Sequence, residues 1–183
     1  IIFKIIEPTL KALKKNNNAY NGFLYVGLMI KNNEPYLIEY NVRMGDPECQ
    51  VILPRLKSDL VNIFNNSIKN KLNNIKIKWK EEKSMTIVLC ANGYPGPYKK
   101  NLLISNINKI ELSKSDYIYH AGTKIFKNKI RSCGGRVLNI TSVGNSFVKI
   151  RSKIISYIKK LKFKGSFYRK DIGWKVINKN ESY

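Results

Sequence analysis

The chain has 183 residues, 43% of them hydrophobic, so it is long enough to bury a core, and its composition excludes wholesale disorder. Lys and Arg number 34 against 12 Asp and Glu, which gives a net charge of +22 and makes a nucleic-acid binder one class to consider. No apolar run reaches the length of a membrane span, and the spacing of the three cysteines excludes a zinc site or a disulfide framework. We therefore expect no membrane segment and a reducing, cytoplasmic setting.

The basic residues are scattered along the chain rather than gathered into one motif. Lys, Asn and Ile are abundant together, which indicates a codon bias toward AT rather than selection for a partner. We interpret the charge as a solvated basic surface with some attraction for phosphorylated substrates. Nucleic acid is therefore not the expected partner, although a basic nucleic-acid-binding module remains an alternative. The start at Ile1, without an initiator Met or a signal-peptide pattern, suggests a fragment or a processed chain.

In chain order, the first predicted elements are a helix and a β-hairpin. Apolar residues at helical spacing predict a helix over 5–16, with Pro8 in its first turn. Strands are predicted over 20–30 and 36–42, and the turn over 31–34 joins them into an antiparallel hairpin. The hairpin places the polar residues of its second strand in mid-strand, beside a neighbouring strand.

Polar residues recur at every second position of that second strand. Because side chains alternate across a strand, Glu39, Asn41 and Arg43 share one face, and the opposite face, from Tyr36 to Val42, is expected to pack. A carboxylate and an amide oxygen suit a hard cation such as Mg²⁺, and the arginine beside them is placed to hold an anion. The pattern favours a Mg-nucleotide site. The alternative is an exposed polar face on an edge strand.

Gly45 and Asp46 form the loop after this strand, where Gly45 supplies backbone freedom and Asp46 either contacts a ligand or caps a turn. Ser58 is expected to be the N-cap of a helix whose apolar face, Leu60 to Ile68, belongs to the core. The Lys/Asn-rich segment 69–83 is expected to cross to a second body.

The second body, about 83–178, is predicted to contain several strands, a closing helix and an aromatic tail. The strands are Met85–Ala91, Asp116–His120 and Arg136–Val143; the helix covers 147–161 and the tail 167–174. His120 is the sole histidine, and a lone histidine is usually a structural hydrogen-bonding group. The tail is expected to pack back on the second body, with an ion pair involving Asp171.

Two glycines stand before an arginine in the second body. Gly134, Gly135 and Arg136 resemble an anion nest, in which flexible backbone N–H groups precede a guanidinium. Such a nest suits a phosphate group. The alternative is a tight turn with a surface arginine.

Seven strings of sequence, in order and spanning nearly the whole chain, are similar to the phosphoribosylamine–glycine ligase family of the ATP-grasp superfamily. They are Gly22–Met29, Ile38–Glu48, Leu56–Leu60, Gly93–Tyr98, His120–Lys124, Gly134–Leu138 and Phe167–Trp174. The resemblance implies an α+β fold, with the C-terminal part of an ATP-grasp domain over 1–80 and a small β-rich C-terminal domain over 81–183. It also implies that Glu39 and Asn41 hold Mg²⁺ or Mn²⁺ under the ATP phosphates.

The resemblance further implies a reaction. ATP phosphorylates the carboxylate of glycine, and the amine of 5-phosphoribosylamine attacks the acyl phosphate to give glycinamide ribonucleotide, ADP and phosphate, in de novo purine synthesis. Arg43 would neutralise phosphate or carboxylate charge, and the loop of Gly45 and Asp46 would line the pocket of the amine and glycine, with Asp46 receiving an ammonium group. His120 would lie close to the catalytic cleft, and the turn at Gly134 would hold the 5-phosphate.

The same resemblance implies that an N-terminal half is missing from the sequence. That half brings the loop over the phosphates and the residues that hold adenine, so we expect residues 1–183 alone to have no ligase activity. A degraded remnant with only a structural or interaction role remains a further alternative.

Overall fold

The computed structural model describes residues 1–179, with the side chains of 178 and 179 left undescribed. The chain forms two compact units. The first consists of Ile1–Glu48 and Lys57–Lys78, and the second of Cys49–Leu56 and the chain from Trp79 onward. Segment 49–56 thus packs with the second unit. The division into family domains at residues 80 and 81 remains a prediction, because the compact units describe packing alone.

The first unit contains two helices and one two-stranded sheet. A π-helical turn, Ile2–Ile6, leads into α1, Glu7–Lys15, and α3 covers Leu60–Ile68. Strands β1, Tyr25–Lys31, and β2, Glu34–Asn41, pair antiparallel, so the predicted hairpin is confirmed. Its two-residue turn is possible because Asn32 and Asn33 both adopt left-handed φ angles, 51° and 59°, as a turn of this kind requires.

Strand β2 departs from the predicted alternation in two ways. The register shifts between Gly27 and Leu28, which leaves Ile38 as an extra residue between Leu37 and Glu39. The strand ends at Asn41, so Arg43 lies beyond it. The face that was expected to pack is exposed, since Ile38 and Val42 keep 62% and 70% of their surface accessible. Tyr40 of this face is half-buried, and its hydroxyl lies 2.5 Å from the Thr9 hydroxyl of α1.

Helix α3 also differs from its prediction. Its N-cap is Asp59, whose side chain accepts from the Asn62 N–H at 2.6 Å, whereas the Ser58 hydroxyl accepts from the Lys78 N–H. The helix contains no buried residue, and Ile68 is 77% exposed. Its apolar face therefore lines an open groove instead of a core.

The second unit contains the remaining elements. Two helices flank its strands, α2 at Cys49–Ile52 and α4 at Phe147–Lys160, and α5 covers Trp174–Lys179. Its strands are β3 Lys83–Ala91, β4 Leu103–Ile104, β5 Asp116–His120, β6 Thr123–Phe126, β7 Lys129–Ser132, β8 Arg136–Gly144 and β9 Ser166–Phe167. They form one sheet in the order β5-β8-β3-β9 and another in the order β4-β7-β6.

The core of the second unit lies between the larger sheet and α4. Ile87 and Ile140 from the two central strands pack with Ile150 and Ile154 from the helix, and all four are at most 2% exposed. Each such side chain contributes roughly 1.5–3 kcal/mol by leaving water. The helix begins after Ser146, whose hydroxyl accepts from the Lys149 N–H. The predicted closing helix and the three predicted strands are confirmed.

One carboxylate is buried in this core. Asp116, at the start of β5, accepts hydrogen bonds from Ser113, Ser142 on β8 and Tyr157 on α4, and forms a 2.8 Å ion pair with Lys153. Burial opposes its charge, but these donors outweigh burial and hold the pKa of Asp116 well below its usual range. Burial and the hydrogen bond to Asp116 raise the pKa of Tyr157 to about 12. The cluster ties two strands to the helix.

The aromatic tail packs on the second unit as expected. Tyr168 and Ile172 contact the core, and Arg169 forms the predicted ion pair with Asp171 at 2.6 Å. Gly173 lies against Met85 with a left-handed φ of 84°. Within residues 1–179, no helix has both the length and the apolar character needed to cross a bilayer.

Candidate functional site

The predicted metal ligands lie together at the end of β2. Asn41 Nδ2 donates to Glu39 Oε1 at 2.8 Å, so the two side chains share a face and touch. Glu39 stands opposite Gly27 on β1, and a Cβ at that glycine would come within 3.0 Å of Glu39 Cγ. Gly27 therefore leaves the space that the carboxylate occupies.

These two side chains suit a hard cation that shares its shell with phosphate. They offer carboxylate oxygens and, after rotation of the amide, an amide oxygen. Mg²⁺ commonly takes one or two protein ligands and fills its octahedron with water and phosphate oxygens. No group of three or more His, Cys, Asp or Glu residues that could hold a metal occurs among the described residues.

Arg43 follows the pair on an exposed segment. Its Nη1 donates to the carbonyl oxygen of Met44 at 3.0 Å, and the residue is exposed. A guanidinium has five N–H donors, so one backbone contact does not exhaust its capacity for an anion. Its role toward phosphate stays a prediction.

The loop after Arg43 brings in a carboxylate to which the sequence reading gave no role. Gly45 is buried, and a Cβ there would overlap the Glu48 carboxylate, so glycine is needed for that approach. Glu48 accepts from the Tyr25 hydroxyl at 3.4 Å, and Tyr25 is the cross-strand partner of Asn41. Burial raises the pKa of Tyr25, and the charges of Glu48 and Glu39 raise it further. The Gly45-x-x-Glu48 spacing was the signal that could have identified Glu48.

Asp46 is exposed in the same loop and precedes Pro47 through a cis peptide bond. The contact between Asp46 and a substrate ammonium stays a prediction.

His120 lies at the end of β5, where its Nδ1 is 2.9 Å from the Thr123 hydroxyl. The turn that follows packs directly on the turn at Gly134. The Gly122 carbonyl accepts from the N–H groups of Cys133 and Gly134, and a Cβ on Gly122 would lie 2.6 Å from Gly134 Cα. The structure thus brings His120 and the glycine pair into one region of the second unit.

Close packing explains why Gly134 and Gly135 are both glycines. Neither Gly134 nor Gly135 is among the described residues with a positive φ, and the Gly134 N–H is already donated to Gly122. The ring of Tyr94 lies where a Cβ on Gly135 would be. Arg136 is half-buried at the start of β8. The phosphate-binding role of this turn remains a prediction, with one fewer free N–H than a nest would offer.

Comparison with known proteins gives consistent matches along the chain. The profile of the phosphoribosylglycinamide synthetase ATP-grasp (A) domain matches residues 1–49, and that of the phosphoribosylglycinamide synthetase C domain matches residues 84–175. These matches confirm the α+β class and the expected order, in which the end of an ATP-grasp domain precedes a C-terminal domain.

Two relatives and one solved structure carry the same name. The chain is 43% identical over 173 residues to a phosphoribosylamine–glycine ligase of Fusobacterium nucleatum, covering 94% of this chain and 41% of the relative. It is 40% identical to the one from Agrobacterium fabrum, covering 98% and 42%. A crystal structure of phosphoribosylamine–glycine ligase from Thermotoga maritima aligns with a TM-score of 0.74 at 32% identity, covering 93% of this chain and 41% of that one. The chain therefore spans about two fifths of the length of the curated relatives it matches.

Proposed function

Because the chain belongs to the phosphoribosylglycinamide synthetase family, we propose that it is the C-terminal part of a phosphoribosylamine–glycine ligase. The complete enzyme would use ATP to phosphorylate glycine and would join the glycyl phosphate to 5-phosphoribosylamine. The products would be glycinamide ribonucleotide, ADP and phosphate. We place this reaction in the cytoplasm, in keeping with the wide spacing and odd number of the three cysteines.

The contact between Glu39 and Asn41 carries this proposal. Glu39 and Asn41 would hold Mg²⁺ or Mn²⁺, which neutralises phosphate charge when bound. Phosphoryl transfer needs positioning and charge stabilisation more than a protein nucleophile, and the cation that these residues would hold could supply both. Arg43 would neutralise the negative charge of the phosphate or of the carboxylate.

The remaining predicted residues would position the other substrates. Asp46 and the backbone at Gly45 would receive the ammonium group of glycine or the ribosylamine. His120, Gly134, Gly135 and Arg136 would contact the ribosylamine and its 5-phosphate. Their support is the resemblance of the motifs and, for the second-unit residues, their proximity around the Gly122 turn.

The test is a conservative change at the metal pair in the complete polypeptide. Replacing Glu39 by Gln removes the charge while keeping the shape, and we expect kcat for glycinamide ribonucleotide formation to fall at least about 100-fold. Asn41→Ala should lower kcat in the same direction and raise the Mg²⁺ concentration needed for half-maximal activity.

Glu34→Gln is the matched control, since Glu34 lies on the same strand and forms an exposed ion pair with Lys4. It should leave kcat within about twofold, because exposed ion pairs contribute little. Intact turnover in both Glu39→Gln and Asn41→Ala would show that the pair is not the metal site, whereas a complete polypeptide without any turnover would favour the non-catalytic remnant.

A further inference from the structure

A cavity in the second unit is separate from the residues assigned to catalysis. It has a volume of about 530 Å³ and is lined, among the described residues, by Val51, Ile52, Arg55, Trp79 and Ser84. Two of these residues are apolar, one is a half-exposed aromatic, and two are hydrogen-bond donors. No carboxylate is among them.

The chain holds the arginine in this wall with backbone pairing. Leu56 and Trp79 form an isolated antiparallel bridge, and the Lys80 N–H donates to the Arg55 carbonyl at 2.7 Å. Arg55 Nη2 donates back to the Lys80 carbonyl at 3.0 Å. These contacts hold Arg55 in the same cavity wall as Trp79, which is 46% exposed.

Two polar atoms of the same wall lack partners within the described protein. Arg55 Nε and the Ser84 hydroxyl are both buried, and neither has a hydrogen-bond partner. A buried donor without an acceptor is costly, and more so when it carries charge. Ser84 lies on β3, whose neighbouring residues Met85 and Ile87 are in the core, so its side chain belongs to the opposite sheet face. The donors therefore belong to the face where α2 packs.

We propose that this cavity binds a small organic oxyanion, a carboxylate or phosphate monoester attached to an apolar group. The oxyanion would accept from the Arg55 guanidinium and the Ser84 hydroxyl, and thereby satisfy both donors. The apolar group would lie against Val51, Ile52 and the Trp79 ring. The positive charge of Arg55 would disfavour cations, and the apolar side chains of Val51 and Ile52 would disfavour fully hydrated ions.

The test uses simple probes on the complete polypeptide. Benzoate and phenyl phosphate carry the two candidate oxyanions on one aromatic ring, and benzyl alcohol is the neutral counterpart. Saturation-transfer NMR and calorimetry should detect saturable binding of at least one anion and none of benzyl alcohol at the same concentration. The tighter of the two anions identifies the headgroup.

Arg55→Lys keeps the charge but removes the Nε donor and the planar guanidinium. It should raise the dissociation constant of the anion about tenfold or more. Ser84→Ala removes the hydroxyl without disturbing the Arg55–Lys80 contacts, and should weaken binding several-fold while circular dichroism and Tm stay unchanged. Arg169→Lys is the matched control, because this arginine is exposed and pairs with Asp171.

Three outcomes would overturn the proposal. One is the absence of saturable anion binding, which would mean that water alone solvates the donors. Another is equal binding of benzyl alcohol, which would define a purely apolar pocket. The third is anion binding that Arg55→Lys and Ser84→Ala leave unchanged, or that Arg169→Lys weakens equally.

Discussion

Asn139 lies in the central strand β8 with 1% of its surface exposed, and neither its amide nitrogen nor its amide oxygen has a hydrogen-bond partner among the described residues. An apolar side chain of similar size would not incur the cost of that desolvated amide. We expect Asn139→Leu to raise the free energy of unfolding by about 1–2 kcal/mol, measured by urea denaturation of the 183-residue chain. Asn145→Leu, at an exposed position, should change it by less than about 0.5 kcal/mol. A loss of stability in Asn139→Leu would mean that the amide is satisfied in solution.

At the scale of elements, Asp116 connects β5, β8 and α4. Asp116→Asn keeps the shape but removes the charge that four neighbours support, so we expect a loss of roughly 2–3 kcal/mol near pH 7. Because the folded pKa lies below the ordinary 3.8, the stabilisation is complete above that pH and is lost as pH falls toward the folded value. Acid titrations of unfolding should therefore show a steeper fall below about pH 4 in the parent than in Asp116→Asn. Exposed Glu111→Gln is the control, and parallel curves for all three proteins would contradict the assignment.

The same cluster has an alkaline consequence through Tyr157. Its folded pKa is raised from 10.0 to about 12, so the stabilisation is complete below pH 10 and is lost as pH rises through 12. Between pH 10 and pH 12 the parent chain should lose stability, whereas the stability of Tyr157→Phe should depend less on pH. Near-ultraviolet circular dichroism measures both. Tyr36→Phe, which alters an exposed tyrosine, should behave like the parent. A Tyr157→Phe curve as steep as the parent's would assign the alkaline transition to another group.

The sequence predicted elements well where periodicity or turn chemistry was strong. The apolar run Met85–Ala91 and the helical stripe of Ile150 and Ile154 both supply buried residues, because the second unit forms its own core. The same kind of apolar stripe in α3 was wrongly predicted to be part of the core, because periodicity identifies an apolar face without identifying what covers it. The bulge at Ile38 could not be predicted either, because register depends on the partner strand. Contacts such as Glu48 with Tyr25 join residues distant in sequence and depend on the completed loop.

At the scale of the whole molecule, the first unit has almost no buried residues, whereas the second has a packed core. Apart from Gly45, no residue of Ile1–Glu48 or Lys57–Lys78 is buried. A groove lined by Phe23, Phe64 and Ile68 remains accessible. We expect the 183-residue chain to self-associate through this groove and to show no glycinamide ribonucleotide formation by itself.

Ile68→Gln should reduce that association, measured by light scattering, without lowering the thermal midpoint of the second unit. Ile125→Gln is a close match, since Ile125 on the β6–β7 hairpin is 78% exposed against 77% for Ile68. Because it stands outside the groove, its replacement should leave scattering unchanged. If both substitutions lowered scattering equally, association would result from general surface hydrophobicity rather than from the groove. Glycinamide ribonucleotide formation by the 183-residue chain alone would contradict the expected inactivity.

Left-handed backbone positions also show how this protein accommodates its composition. Among the described non-glycine residues with positive φ, all but Lys127 are asparagines, including Asn32 and Asn33 of the first hairpin. Asparagine tolerates this conformation better than other side chains, second only to glycine. A mutational drift that enriches asparagine is therefore least harmful at turns, where it can replace glycine. Turns of this fold can thus absorb biased mutation while strands and core keep their residues.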